Sequence, residues 1–364
     1  MASTAEMTRS SSTTLQEVAR KADVSVAAVS YVLNGKGRIS EQRRQRIGRL
    51  LLEAGLKPRD KRRPAFYISD HREYRHAAAF MPFLDKYEGL NAAFHEEDVD
   101  LRVEFLHRPG SRDLRFQLRE LASYKPAAVA LDSDLGGDLP IVAEFFERRR
   151  VPVTQIGHAV RAPGVDAVVV DDFTGAYRGT QHLIAGGHRQ IAMIRWNIAG
   201  DPASNRKYAG YQCALREAGI DERPQYVVES PLGRQEDRLT GRTAVAQLLA
   251  LPDPPTAVLV ENSFVSASLL YPIDSGETGL PHAIAGLDMV HFEAWHLDVV
   301  EQVMAGVFNY PSRRTKLLRI NWQELGQVAA KRMLARMRGK TGVAECIQLA
   351  PQLYQVQGEE MVRL

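Results

Sequence analysis

Thr14 to Asn34 reads TLQEVARKADVSVAAVSYVLN, a stretch that predicts two short helices joined by a tight turn. In the first helix Leu15, Val18, Ala19 and Ala22 recur at i, i+3, i+4 and i+7, one apolar face. Thr14 and Glu17 stand at capping-box spacing, where each side chain satisfies an orphan amide of the first turn. Asp23-Val24-Ser25 breaks the pattern, and Ser25 can cap the second helix. There Val29, Val32 and Leu33 point inward, which leaves Val26, Ala27, Ser30 and Tyr31 outward. A helix pair whose outer face carries small residues can approach another surface closely, and it fits the major groove of DNA.

Downstream, a third helix is expected from about Glu41 to Ala54, with Ile47, Leu50, Leu51 and Ala54 inward and Arg43, Arg44, Arg46 and Arg49 outside. Gly55 suits a C-cap and Pro58 opposes continuation. Residues 14–58 thus form one small helical unit, preceded by a disordered lead (1–13) and followed by a basic linker (59–64). Residues 1–63 hold fourteen Lys/Arg against six Asp/Glu, a net of +8 that leaves −5 for the rest of a chain of net charge +3. A basic head on a mildly acidic body implies that only the head meets a polyanion.

The chain of 364 residues, 45% apolar and 25% charged, has room for two or three cores. No apolar run is long enough to span a membrane, and MASTAEMTRSSSTT lacks the apolar region of a secretory signal. Cys213 and Cys346 lie far apart without metal-type spacing and read as reduced thiols of a cytoplasmic protein.

From Ala65 onward, apolar runs such as AFYIS, LRVEFL, AAVAL, VPVTQIG, VDAVVV, QIAMI, YVVES, TAVLV and AIAGL alternate with helical patterns. That alternation predicts βαβ units in parallel sheets, and the length calls for two of them. Ligands of open α/β sheets bind beyond the carboxyl ends of strands, so the loops after these strands are candidate sites. GxxxxGK[ST], HExxH, GxSxG and GxGxxG patterns are missing, and no catalytic constellation is visible, so no enzyme is expected.

TLQEVARKADVS followed by AVSYVLNG resembles the headpiece of the lactose-repressor (LacI/GalR) family of bacterial transcription regulators. The likeness continues through VDDFTGAYRGTQHLIAGGHRQIAMI, RKYAGYQCALREAGI, PTAVLVENSFVSASLL, AIAGLD, RINWQELGQVAAKRML and LAPQLYQV. It implies an all-α helix-turn-helix head on an α/β body of two doubly wound subdomains of the periplasmic-binding-protein type. By that analogy residues 65–186 and 317–343 form the first subdomain, and 187–316 and 344–364 the second.

The resemblance also assigns sites. Val26 and Ala27 fall at base-reading positions, where they can offer only apolar contact to thymine methyls. Tyr31 either adds a hydroxyl beside them or packs against the first helix. Thr14, Ser25, Ser30 and Asn34 suit phosphates, and Arg59 and Arg62 extend the contact into the linker. For the effector the family pattern points to Asn262, Asp288 and a basic residue that is Lys207 here, with Thr174 and Phe83 as further cleft candidates. Lysine lacks the planar fork of the family's arginine, so the ligand geometry differs. For each of these the bland alternative is a satisfied loop polar or a core aromatic. His182 and His188 occur in the family without a metal, and no metal or cofactor is expected. FVSASLLYPI is apolar on nearly every side and is either interior or a subunit contact.

These features imply a repressor that binds a palindromic operator as a homodimer in the bacterial cytoplasm, at the nucleoid, under control of a small effector, a sugar or related polar metabolite. The alternative is a small-molecule binding protein without a DNA function. Family members carry a longer linker that forms a hinge helix. The short segment around Arg59, Lys61, Arg62 and Arg63 instead predicts extended contact with DNA and little bending.

Overall fold

The computed structural model describes residues 15–33, 39–54, 63–71, 77–196, 200–230, 240–261, 266, 269, 286–292, 315–357 and 360–364. The chain divides into two compact units, Met1–Pro64 and Ala65–Leu364.

In the first unit, α1 (residues 15–22), α2 (Val26–Leu33) and α3 (Glu41–Glu53) close on one small core. That core is Val18, Ala19 and Ala22 from α1, Val29 and Val32 from α2, and Ile47 and Leu51 from α3. Asp23 turns the chain between α1 and α2 with φ 55°. Ser25 caps α2, its Oγ accepting from the Ala28 amide at 3.2 Å. The expected partners Thr14 and Asn34, the C-cap Gly55, and the linker residues Arg59, Lys61 and Arg62 lie outside the described residues.

The body holds two sheets. The first is all parallel in the order β11-β5-β4-β3-β1-β2. Its strands are β1 (Ala65–Asp70), β2 (Leu101–Leu106), β3 (Ala128–Asp132), β4 (Val153–Gly157), β5 (Asp166–Val170) and β11 (Cys346–Leu349). Every residue of β1 is buried, because helices cover both faces. Tyr67 points to a core with α4 (Ala77–Glu96) and α10 (Trp322–Met337). Phe66 and Ile68 point to a core with α5 (Leu114–Ser123) and α6 (Leu139–Glu147).

The second sheet has the order β13-β12-β10-β9-β8-β6-β7. It comprises β6 (Ile191–Trp196), β7 (Val227–Ser230), β8 (Ala257–Val260), β9 (Asp288–Phe292), β10 (Thr315–Arg319), β12 (Gln352–Gln357) and β13 (Glu360–Arg363). Only the last two strands join antiparallel. α7 (Asp172–Ala185) and α8 (Pro202–Glu217) cover one face through Leu183, Tyr211 and Leu215, and α9 (Thr240–Leu249) covers the other through Val245 and Leu248. The doubly wound α/β architecture expected from the sequence is therefore present.

The crossings between subdomains depart from the expected positions. α7, placed in the first subdomain by the range 65–186, packs on the second sheet, where a Cβ at Gly175 would lie 2.7 Å from the Phe292 ring. The chain therefore leaves the first sheet at Val170. Leu317 and Leu318, expected to open the return segment, still belong to β10, which pairs with β9. Residues 344–349, expected in the second subdomain, include β11, which pairs with β5 of the first. Local pattern locates a strand or helix, but only side-chain fit selects which of two similar sheets receives it. Of the expected strand AIAGL, residues 283–285 lie outside the described residues, Gly286 and Leu287 form a turn and bend, and the described strand is Asp288–Phe292. The apolar run AIAGL carries the stronger strand signal, whereas DMVHF is interrupted by Asp288 and His291, so periodicity favours the wrong segment.

Two helix pairs meet at backbone distance. On the first sheet a Cβ at Gly326 of α10 would stand 2.2 Å from the Lys86 carbonyl oxygen, and one at Gly89 of α4 would stand 2.0 Å from that of Gln323. Gly326→Ala is expected to lower stability by about 1–3 kcal/mol through overpacking. Gly137→Ala, which meets nothing within 4 Å, should stay within about 0.5 kcal/mol. Urea midpoints of the two variants measure this; equal midpoints would mean that the helices do not touch through their backbones.

Candidate functional site

Two regions carry the chemistry. On the headpiece, Val26 is 42% and Tyr31 50% exposed, beside exposed Ala27 and half-buried Ser30. Tyr31 is half exposed and is not a member of the headpiece core. Arg43, Arg46 and Arg49 are exposed on α3. The face is thus apolar and small at the centre, with one phenol and cations on a neighbouring helix.

In the body, the two subdomains meet around Asp172, the first residue of α7. Its carboxylate is fully buried, and Oδ1 accepts from His158 Nδ1 of the first subdomain at 3.1 Å. Lys207 Nζ of α8 stands 3.7 Å from the same oxygen, while Oδ2 has no partner among the described residues. Asp171, immediately before it, caps α7 by accepting from the Thr174 amide and pairs with Arg206 at 3.5 Å. A second link joins Arg161, after β4, to Asp201, the cap of α8, at 2.9 Å.

On the second-subdomain side, Lys207 also donates to the Glu261 carbonyl at 3.4 Å and lies 4.5 Å from the centre of the Phe292 ring. The Glu261 carboxylate accepts from Ser204 Oγ at 2.9 Å. Arg195 donates to Ser204 Oγ and Asn205 Oδ1, each at 3.1 Å, and its guanidinium covers Tyr208 at 4.5 Å. Burial, aided by a hydrogen bond to Glu222, pushes the Tyr208 hydroxyl up to about 12. On the first-subdomain side, His158 sets its ring edge-on to Trp322 at 5.1 Å. Lys86 lies over the other side of this cluster, 5.2 Å from Trp322, and pairs with buried Asp132 at 2.6 Å. Tyr67 donates its hydroxyl to the same carboxylate and stacks on Phe83 at 5.0 Å. Asp172 Oδ2, Arg195 Nε, Arg161 Nε and Trp322 Nε1 are buried polar atoms without a hydrogen-bond partner among the described residues. A buried donor or acceptor left unmade costs about 1–3 kcal/mol.

The effector residues expected from the sequence fare unevenly. Lys207 is at the junction, but only 4% exposed and engaged by Asp172, Glu261 and Phe292. Thr174 is half-buried one turn into α7, and Phe83 is a core aromatic. Asn262 lies outside the described residues. Asp288 is the clear correction. It opens β9 at the amino end and bonds His188 Nε2 at 3.0 Å. There it lines a hollow of about 180 Å³ with His182, His188 and Lys316, at the opposite end of the strand from the junction. The register error follows from taking AIAGL as the strand; the chain continues from the carboxyl end of β9 into Glu293. The sequence did hold signals for what was missed. Asp171-Asp172 directly follows VDAVVV, Glu261 directly follows TAVLV, and Lys86 is a lone cation in an apolar helix stretch.

Residues 75–269 match the family described as periplasmic binding proteins and sugar binding domain of LacI family, and residues 14–58 match bacterial regulatory proteins, lacI family. The chain belongs to the LacI family. It is a DNA-binding transcriptional regulator with a helix-turn-helix head and an effector-binding body. It is 27% identical over 272 residues to the transcriptional repressor CytR of Escherichia coli K12, covering 71% of this chain and 74% of that one. It is 24% identical over 290 residues to the probable repressor ExuR of Bacillus subtilis, covering 78% and 83%. In fold it is similar to the regulator CelR solved with cellobiose, at TM-score 0.61 and 22% identity over 96% of this chain and 98% of that one. Members of this LacI family are regulators rather than enzymes. Among the described residues no helix is long and apolar enough to cross a membrane.

Next to the junction, His291 of β9 is fully buried, bonded through Nδ1 to Ser266 Oγ at 2.9 Å, and burial lowers its pKa to about 4. Below about 6.5 the unfolded chain takes a proton that the folded chain refuses until about 4, so stability falls as the pH drops through that window. Between pH 6.5 and 4.5 the wild type should lose about 2–3 kcal/mol more than His291→Gln. Urea titrations at the two pH values check this; parallel losses would show that His291 protonates freely in the fold.

Proposed function

We propose that this regulator represses transcription as a cytoplasmic homodimer on a palindromic operator, and that a polar, hydroxyl-rich metabolite bound around Asp172 controls it. The observation that supports the effector site is the junction itself. One buried carboxylate touches both subdomains with one oxygen unpartnered among the described residues, and the N–H groups of Arg161 Nε, Arg195 Nε and Trp322 Nε1 are likewise unpartnered there. A ligand with several hydroxyls can donate to that oxygen and accept from those N–H groups. Neighbours solved with cellobiose and with ribose agree with a sugar or a sugar-like compound. A ligand that favours one arrangement of the subdomains shifts the population toward it, and linkage carries that preference to the operator.

In the head, Val26 and Ala27 offer methyl contact and Tyr31 a hydroxyl, with Ser25 and Ser30 at phosphate positions. One such reader is too small to specify a genomic site, which supports two heads on a symmetric operator. A dimer with about six to ten phosphate contacts should lose roughly 10³–10⁵ in affinity between about 50 and 200 mM salt. Binding to a selected operator across that range tests the reading. A flat response, or a single asymmetric half-site, would overturn it, and Tyr31→Ala should relax base preference near its contact.

A thermal-shift screen of sugars, polyols and purines identifies the effector. Asp172→Asn should then weaken its affinity roughly ten- to a hundredfold while operator affinity stays unchanged, as expected for a lost charge-assisted hydrogen bond of about 1.5–3 kcal/mol. Calorimetry showing unaltered affinity in a variant that still binds operator would remove Asp172 from the site.

A further inference from the structure

At the carboxyl-end rim of the first sheet, displaced toward its edge strand β2, three side chains converge from three separate segments. Asp70 ends β1 and is 1% exposed. His107 directly follows β2. Asp138 ends the 3₁₀ segment Ser133–Asp138 that follows β3. One potential ligand atom from each lies within 4.8 Å of the others.

The backbone holds these groups in place. His107 takes a left-handed φ of 57°, its amide donating to Gln117 Oε1 at 3.2 Å, and Gln117 is tied in turn to the Arg112 carbonyl at 2.6 Å. Asp138 occupies the N-cap of α6, yet its carboxylate makes no capping bond. Asp113, Asp171 and Asp201, the caps of α5, α7 and α8, all accept from an amide of the first turn. The Asp138 carboxylate turns to His107 Nε2 instead, at 2.9 Å. The Asp138 backbone is itself helical, at φ −80° and ψ −19°, unlike those three caps, so its carboxylate is not in capping geometry and lies beside the imidazole instead.

We propose that Asp70, His107 and Asp138 bind one divalent first-row transition-metal ion. One imidazole with two carboxylates neutralises the charge of such an ion and suits manganese, iron, cobalt or zinc over calcium or magnesium. Ligand bonds of about 2.0–2.2 Å put tetrahedral donor atoms roughly 3.4 Å apart, so His107 Nε2 and Asp138 Oδ2, now 2.9 Å apart, would separate slightly while the wider gaps of the cluster close, changes that rotamer shifts can supply. Coordination through His107 Nε2 places the ring proton on Nδ1. The side chains of His107 and Asp138 are 21% and 27% exposed, which gives the ion an entry path and leaves coordination positions for water. All three ligands belong to the first subdomain, so occupancy does not require the subdomains to close. The ion would pin the exit of β1 against that of β2, on the sheet edge that also presents Asp132 and His158.

The test uses the full chain, stripped with chelator and titrated with cobalt(II) and manganese(II) chloride. One ion per chain is expected, with cobalt giving visible d–d bands and no thiolate charge-transfer band. His107→Gln and Asp138→Asn should each weaken binding at least about tenfold, while Cys213→Ser with Cys346→Ser leaves it unchanged. Retained operator binding in each variant establishes that it folds. Absence of stoichiometric binding, or binding indifferent to His107→Gln and Asp138→Asn, would reduce the cluster to a hydrogen-bonded rim and overturn the proposal.

Discussion

A carboxylate with no exposure to solvent is costly unless something holds its charge, and the body of this protein places one where its two halves join. Asp172 opens α7, two residues past Val170, where the chain leaves the first sheet. It draws His158 from one subdomain and Lys207 from the other. Each side of that contact is itself fixed by further buried groups. Lys207 is held by the Glu261 carbonyl and the Phe292 ring, and His158 is seated against Trp322, under which Lys86 is locked to Asp132. Removing one partner of such a buried pair typically costs about 3–5 kcal/mol, because the other charge is stranded. The arrangement is therefore stiff within each subdomain and concentrated at the seam between them.

Stiffness within the halves has a second source, the helix pairs at backbone contact. α4 and α10 meet through Gly89 and Gly326, and α7 and α8 through Gly210, whose Cβ would stand 2.3 Å from the Phe173 carbonyl. In both halves the paired helices include one that begins just after a crossing, so the segments that link the subdomains are anchored in the most tightly packed layers. A ligand that engages Asp172 acts directly on the first turn of such a helix. Interiors packed this closely shift between discrete arrangements rather than deform smoothly, which suits a regulator with two states.

The head works on a different scale. Among the described residues its core draws buried side chains from all three helices, and Val26, Ala27 and Tyr31 are left exposed. Small residues let the helix approach a surface, while the basic excess of residues 1–63 supplies attraction without sequence preference.

By itself the sequence determined the head: the apolar spacing in α1 and α2, the Ser25 cap and the arginines of α3 are local features, read at a distance of three or four residues. It also determined the alternation of strand and helix in the body and hence the doubly wound class. Tertiary structure alone decided which sheet receives α7, β10 and β11, since either sheet offers an apolar face and only the fit of Gly175 under Phe292, or of β11 beside β5, tells them apart. It also decided the register of β9, and with it the removal of Asp288 from the junction to the opposite strand end. The groups at the seam come from residues as far apart in the sequence as His158 and Glu261, and from opposite halves. A buried carboxylate acquires its role from the partners that folding brings to it, and no local spacing records those.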